Sequence, residues 1–226
     1  MQKNMVEATI PQEEKIQRYY GWRAGNYDAG TNFEVEQHLE AVRLADIQPG
    51  QRVLDVACGT GRATVDLARS VGSMGRVDAL DLTEAMLDKA LDKVNRLDLS
   101  ERVHFKQGNA RALPYSDETF DVLYNGYMFD LIPLDGFDSI LNEFMRVLKP
   151  GGKLVLVNMS KSTNNKTFYE KVYETGWAVM PCRPVLMSTF LESAGFVEIN
   201  RLYRPSRGFL VAWLWGTEIV QAYKPH

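Results

Sequence analysis

From residue 51 onward the chain alternates short runs rich in Val, Leu and Ala with stretches whose apolar residues recur at helical spacing. That alternation predicts a parallel sheet covered by helices on both faces. A first strand is predicted at 52–57, entered through the turn at Gln48, Pro49 and Gly50, and a helix follows at 62–70. A second strand at 76–80 leads into Asp81, Leu82, Thr83 and Glu84. Thr83 is a suitable helix cap, and Met86, Leu87, Ala90, Leu91 and Val94 follow at helical spacing. Strands at 102–106 and 120–124 come next, then a helix at 137–148 stopped by Lys149, Pro150, Gly151 and Gly152. A fifth strand at 153–157 is a continuous apolar run, as expected where both faces are buried.

The two ends are patterned differently. Residues 12–46 read as helical segments broken at Gly21, Gly25 and Gly30, with Tyr19, Tyr20, Trp22 and Tyr27 between them. Residues 163–180 read as a helix carrying Phe168, Tyr169, Val172, Tyr173 and Trp177. From Gly195 the chain alternates like two strands joined by a turn at 205–208. There is no internal repeat.

Composition narrows the class. The chain has 226 residues, 45% hydrophobic and 24% charged, enough for one full-sized core. A formal charge of −3 gives no basic footprint, so phosphate-driven nucleic-acid binding is not expected. Cys58 and Cys182 cannot form a disulfide framework, and His38, His104 and His226 lack metal-ligand spacing, so no metal is expected. The first residues lack the basic-then-apolar pattern of a signal peptide, and the longest apolar stretch, at 209–215, is too short to span a bilayer. The expectation is a reduced, cytoplasmic protein with no transmembrane segment; peripheral membrane contact stays open, and nothing fixes an oligomeric state.

The strongest chemical signal is the run from Val53 to Gly61, a strand entering a glycine turn ahead of a helix. Glycines there let backbone approach a ligand closely, and the helix amides beyond can meet an anion. Dinucleotide proteins use the same architecture, but their fingerprint needs a third glycine where Thr64 stands. Asp55, four residues before the first glycine, would repel a pyrophosphate and suits a ligand carrying a sulfonium and an ammonium group. Such a ligand is S-adenosylmethionine. Asp81, closing the second strand, can accept both ribose hydroxyls or simply cap a helix, and Asn109 can serve an adenine edge or a polar turn.

These motifs occur in a fixed order: Asp-Val-Ala-Cys-Gly-Thr-Gly at 55–61, Asp-Leu-Thr-Glu-Ala-Met-Leu at 81–87 and Gly-Asn-Ala-Arg-Ala-Leu-Pro-Tyr at 108–115. Thr-Phe-Asp-Val-Leu at 119–123 and Arg-Val-Leu-Lys-Pro-Gly-Gly at 146–152 complete the series. Over residues 50–158 the chain resembles the class I S-adenosylmethionine-dependent methyltransferases. Within them it is most similar to the ubiquinone/menaquinone-biosynthesis methyltransferases and their small-molecule relatives. The resemblance implies an α/β, doubly wound, Rossmann-like sheet of seven mostly parallel strands, the last antiparallel. It assigns Asp55, Ala57, Gly59 and Gly61 to the methionine end of the cofactor, Asp81 to the ribose, and Leu82 and Met86 to the adenine walls. Asn109 and Ala110 would meet the adenine edge, Asn125 the methionine amino group, and Tyr27 would cover the site. On this reading residues 1–226 are one domain: a helical cap at 1–48, a cofactor-binding core at 49–160, a lid insertion at 161–194 and a strand pair at 195–226.

Methyl transfer to a small acceptor needs alignment more than a catalytic group, because S-adenosylmethionine, which leaves as S-adenosylhomocysteine, carries the activated carbon. Asp130, Tyr20 and Tyr127 are the candidates to orient or deprotonate that acceptor. The related quinone-modifying enzymes show Gly-Leu-Arg-Asn after the fourth strand, whereas this chain has Tyr127, Met128, Phe129 and Asp130. Aromatic residues in the cap and insertion either pack on the sheet, the simpler reading, or form a lid over an apolar or amphipathic acceptor. Arg201, Arg204 and Arg207 could meet an anionic group on it or form a solvated strand edge. Two other classes compete: a nucleotide-dependent oxidoreductase, against which Thr64 and Asp55 count, and a non-catalytic interaction protein, which needs none of the site residues together.

Overall fold

Seven strands form one sheet in the order β3-β2-β1-β4-β5-β7-β6. The computed structural model describes residues 12–25, 27–30, 34–162, 166–175, 182–205 and 216–226. The strands are β1 (Arg52–Val56), β2 (Arg76–Asp81), β3 (Val103–Gln107), β4 (Phe120–Gly126), β5 (Leu148–Ser160), β6 (Val197–Pro205) and β7 (Gly216–Tyr223). The first five run parallel, and β7 lies antiparallel between β5 and β6. Eight α-helices are described: α1 (Gln12–Arg23), α2 (Tyr27–Gly30), α3 (Val35–Ala45), α4 (Arg62–Ser70), α5 (Glu84–Asn95), α6 (Phe137–Val147), α7 (Phe168–Glu174) and α8 (Met187–Ser193).

Alternation along each strand sorts the side chains into two cores. Leu54, Leu123, Leu154, Leu156 and Val220 pack with α6 and α8, while Val53, Val77, Val122, Val155, Val157 and Ile219 pack with α3, α4 and α5. The apolar run of β5 therefore serves both layers, and each such side chain contributes about 1.5–3 kcal/mol on burial. Strand order reverses between β1 and β4, and a crevice opens outside their carboxyl ends, where ligands bind in open α/β sheets.

The structure departs from the sequence pattern in four places. Helix α1 runs straight through Gly21 instead of breaking there. Helix α3 belongs to the core rather than to a cap: Ala41, Val42 and Ala45 are buried, and the Leu44 carbonyl accepts from Gln221 Nε2 at 2.6 Å. The Lys149–Gly152 run lies inside β5, which leaves its ladder at a bulge opposite Phe120 and Val122. There Gly151 takes φ +70° and donates to the Lys224 carbonyl at 3.0 Å, so the glycines turn the strand without ending it. Helix α8 has no counterpart in the sequence reading. The predicted helix at 163–180 is represented by α7; Trp177, Arg207 and the turn residues 206–208 lie outside the described residues.

Two arginines that the sequence offered for an anionic acceptor are engaged within the fold. Arg204 pairs with Glu40 at 2.6 Å, and Arg201 Nε meets Glu218 Oε2 at 2.6 Å, with Glu218 wholly buried. Glu218 also accepts from Met187 N at the start of α8 and from Ser160 Oγ at the end of β5. Arg201 Nη2 holds the Lys161 carbonyl at 2.7 Å, so one ion pair anchors both stems of the segment between β5 and α8. Removing one partner of a buried pair strands the other charge. Glu218→Ala should therefore lower unfolding stability by about 3–5 kcal/mol in urea titration, and Arg204→Ala, at a partly exposed pair, by about 0–1 kcal/mol.

Candidate active site

The crevice is built from strand ends. β1 ends at Val56, and Ala57 takes φ +57°; β4 ends at Gly126, and Tyr127 takes φ +53°. Left-handed backbone is uncommon for residues with a Cβ, and here it falls at both rims of the switch point. Ala57 and Tyr127 line the main cleft, which measures about 870 Å³ including its open mouth. A smaller cleft continues from it, sharing Tyr27, Ala57, Gly59, Gly126 and Tyr127.

Asp81 organises the first wall. Its Oδ2 accepts from Gly59 N and its Oδ1 from Thr83 N, both at 2.8 Å. Capping and ligand binding are thus not alternatives, because each oxygen keeps a second lone pair for a hydroxyl at the cleft it lines. Leu82, Met86, Leu80 and Ile140 supply apolar walls, and Asn109 and Ala110 lie along the same cleft. Asn109 Oδ1 accepts from Arg111 N at 3.0 Å, which fixes the amide plane at that edge. Gly59 has φ +55°, and a Cβ built there would meet nothing within 4 Å, so its turn opens into the cleft.

Gly61 does something else. It takes φ +76°, and a Cβ there would fall 2.8 Å from Ala90 Cβ, so this glycine lets α4 approach α5 rather than lining the cleft. Asn125 lies inside β4 rather than just after it; its side-chain Nδ2 donates to the Val56 carbonyl at 2.8 Å, and the neighbouring Gly126 borders the cleft.

The smaller cleft is charged. Asp55 lines it, accepts from Thr64 Oγ1 at 2.6 Å, and is pushed up to about 7 by burial. Glu34, His38 and Arg62, none of which the sequence pattern placed at the site, line it too. Burial pushes the Glu34 carboxyl up to about 8 and His38 down to about 4, and His38 Nδ1 lies 2.5 Å from the Tyr124 hydroxyl. Only a three-dimensional placement signals Glu34, since its neighbours come from β1, α4 and β4. Arg62 borders the cleft while donating to the Asp28 carbonyl at 2.9 Å. The Asp28 carboxylate accepts from Thr60 Oγ1 and Lys93 Nζ, which secures Tyr27 beside the glycine turn.

Tyr20 and Tyr27 meet edge to face at 5.8 Å and line the main cleft with Ile16, Met128, Leu131 and Ile132. Burial pushes the hydroxyls of Tyr20, Tyr27 and Tyr127 upward, so all three stay protonated. Asp130 is buried, with Oδ1 lacking a partner and its carboxyl pushed up to about 7 by burial. Its neighbours Met128, Leu131 and Ile132 line the cleft while Asp130 does not. Cys58 packs in the core, and burial holds the Cys182 thiol up at about 12, so neither is a ready nucleophile. Among the described residues no cluster could hold a metal ion, and no helix is long and apolar enough to cross a membrane.

The residues present fit S-adenosylmethionine. Gly59 leaves a cradle, Asp81 offers lone pairs beside apolar walls, and the amino-acid end would meet two carboxyls and a guanidinium. A pyrophosphate would face Asp55 and Glu34 instead.

Sheet order and glycine turn together define the class I, Rossmann-like methyltransferase fold, with an acid-lined cleft at its switch point. The ubiE/COQ5 methyltransferase family model matches residues 32–200, and the chain belongs to that family. It is 41% identical over 124 residues to a demethylmenaquinone methyltransferase of Bacillus cytotoxicus, covering 55% of this chain and 51% of that protein. The enzyme of the same name from Bacillus mycoides gives the same identity and coverage. The chain thus spans about half the length of the curated relatives it matches. Solved structures share the fold: the 4+2 cyclase SpnF (TM-score 0.73, 21% identity, 96% of this chain and 98% of that one) is one. Another is a SAM-dependent methyltransferase from Aquifex aeolicus (TM-score 0.66, 22% identity, 90% and 98%). A third is the Haemonchus contortus phosphoethanolamine N-methyltransferase 2, solved with S-adenosylhomocysteine (TM-score 0.72, 18% identity, 96% and 61%). The oxidoreductase reading falls with these findings.

Burial gives the charged cleft a pH signature. At pH 6 Asp55 and Glu34 both hold protons and offer an ammonium group no charge; above about pH 8 both are ionised. Affinity for S-adenosylhomocysteine should therefore rise with pH, by about tenfold or more between pH 6 and pH 8.5, since a tenfold gain needs only about 1.4 kcal/mol of added charge attraction. Calorimetric titration at the two pH values checks this, and a flat profile contradicts it.

Proposed function

We propose that this protein transfers the methyl group of S-adenosylmethionine to a small apolar or amphipathic acceptor bound beside the tyrosine-lined end of the main cleft. The observation that carries the reading is the division of one continuous crevice into an acid-lined end and an apolar end that meet at Ala57, Gly59, Gly126 and Tyr127. The cofactor supplies a methyl group on a positively charged sulfur, already activated for in-line displacement. The chain's share is to hold the acceptor in line with that methyl and to exclude water. Alignment of this kind supplies up to about 7–11 kcal/mol in ideal cases.

Ile16, Met128, Leu131 and Ile132 suit an apolar body, and Tyr20, Tyr27 and Tyr127 present aromatic faces to it. The demethylmenaquinone methyltransferases named above act on a quinone; the run Tyr127, Met128, Phe129 and Asp130 departs from their usual segment, which favours a different apolar acceptor. Asp130 lies behind the cleft wall formed by Met128, Leu131 and Ile132, so with a carboxyl held near 7 it is assigned to the proton released by a thiol, phenol or amine acceptor only through one intervening group. The aromatic cap also fits transient contact with a membrane surface from which an apolar acceptor is drawn.

The test is a labelled-methyl assay against a panel of thiols, quinols, phenols and amines. Transfer is expected to an apolar member, and activity confined to small hydrophilic acceptors would contradict the apolar reading. With that acceptor, Asp130→Asn should lower turnover by at least about tenfold and remove a limb of the pH profile near 7. Unchanged turnover across pH, with cofactor binding intact, would assign the reaction to alignment alone.

A further inference from the structure

Glu34 has entered so far only as one of two acids in the charged cleft, and its surroundings are unusual for a carboxylate. The residue is 8% exposed, immediately before α3, and borders the same charged cleft as Asp55 and Gly59. Among the described residues its one ion-pair contact within 4.0 Å is His38 Nε2, while the charges of Asp130 and Arg62 also act on it from farther off. That imidazole is neutral: it is buried, and its Nδ1 is engaged with the Tyr124 hydroxyl. Arg62, on the rim of the same cleft, is already tied to Asp28. Left alone, the Glu34 carboxyl keeps its proton, as burial dictates, and its ionised form is costly unless a cationic partner arrives. It does not serve as a helix cap either, since its side chain makes no capping bond to α3.

We propose that Glu34 is a second counter-charge for the cofactor, pairing with the ammonium group of its amino-acid end in the cleft that Asp55 also lines. The inference rests on the cofactor reading above and adds a binding residue to it. Core and N-terminal elements then share the recognition: β1 contributes Asp55, the residue before α3 is Glu34, and the first amides of α4 beside Arg62, which keeps its tie to Asp28, would receive the carboxylate. Two acids and one base match a ligand end with one ammonium, one carboxylate and a nearby sulfonium. The tie from His38 to Tyr124 and the packing of α3 on β5 hold the Glu34 backbone in place before any ligand enters. Recognition at this point is therefore preorganised.

The experiment compares two ligands that share the adenosine and differ in the amino-acid end. S-adenosylhomocysteine carries the ammonium and carboxylate; 5′-methylthioadenosine carries neither. In calorimetric titration at pH 8.5, where Glu34 is ionised, Glu34→Gln should weaken S-adenosylhomocysteine by about ten- to hundredfold, the range for a hydrogen bond to a charged group. The same variant should leave 5′-methylthioadenosine within about twofold of the native value. Equal losses for both ligands would show that Glu34 only shapes the cleft, and no loss for either would also overturn the inference. On the native protein, the deaminated analogue of S-adenosylhomocysteine should bind about ten- to hundredfold more weakly than the parent, and equal affinity would overturn the inference even if Glu34→Gln does not fold. If the native protein binds neither nucleoside, the cofactor reading itself fails, which is a separate outcome.

Discussion

The site depends on one carboxylate placed between two strand ends. Asp81 accepts the Gly59 amide with one oxygen and the Thr83 amide with the other. This joins the glycine turn after β1 to the start of α5 across the β1/β2 pair. Both amides would otherwise lie at turns with no ladder partner, and an unsatisfied buried donor costs about 1–3 kcal/mol. The close approach of α4 and α5 at Gly61 and Ala90 fixes the other side of the same turn. With the turn held from two directions, Gly59 faces open space and the strand rims at Ala57 and Tyr127 keep their left-handed geometry. The cleft is the consequence of that constraint.

Polarity is then distributed along the cleft by which element reaches it. β1, α4 and the start of α3 bring Asp55, Arg62 and Glu34 to one end, while α1, the β4 exit and α6 bring Ile16, Met128, Leu131 and Ile140 to the other. Tyr27 borders both ends and is secured through Asp28, Thr60 and Lys93. A ligand with a charged amino-acid end and a flat nucleoside can use both regions at once. An acceptor has only the apolar portion left, and this ties substrate choice to the aromatic cap.

Elements whose signal is local were legible in the sequence. The helix at 62–70 is found with the same limits, and strands β1 to β4 lie within a few residues of their predicted places, because apolar period and turn residues specify them. Asp55, Ala57, Gly59, Asp81, Leu82, Met86, Asn109 and Ala110 all border the clefts, since a strand end followed by a turn dictates their position. What was not legible depends on contacts distant in the chain. The Glu34 carboxyl gains meaning only when α3 packs against β5, more than 100 residues later. Arg201 looks like a free basic residue until Glu218 pairs with it, and Gly61 looks like a ligand contact until Ala90 is placed beneath it. Helix α8 is short, and its start is fixed by the buried Glu218 rather than by a capping residue of its own.

The central claim is that the turn after β1 receives one positively charged nucleoside and not a pair of phosphates. Titration calorimetry with S-adenosylmethionine and with NADH, on the same preparation at pH 8, tests it most directly. One S-adenosylmethionine site per chain, with no heat from NADH, is the result expected. Saturable binding of NADH with no response to S-adenosylmethionine would contradict it.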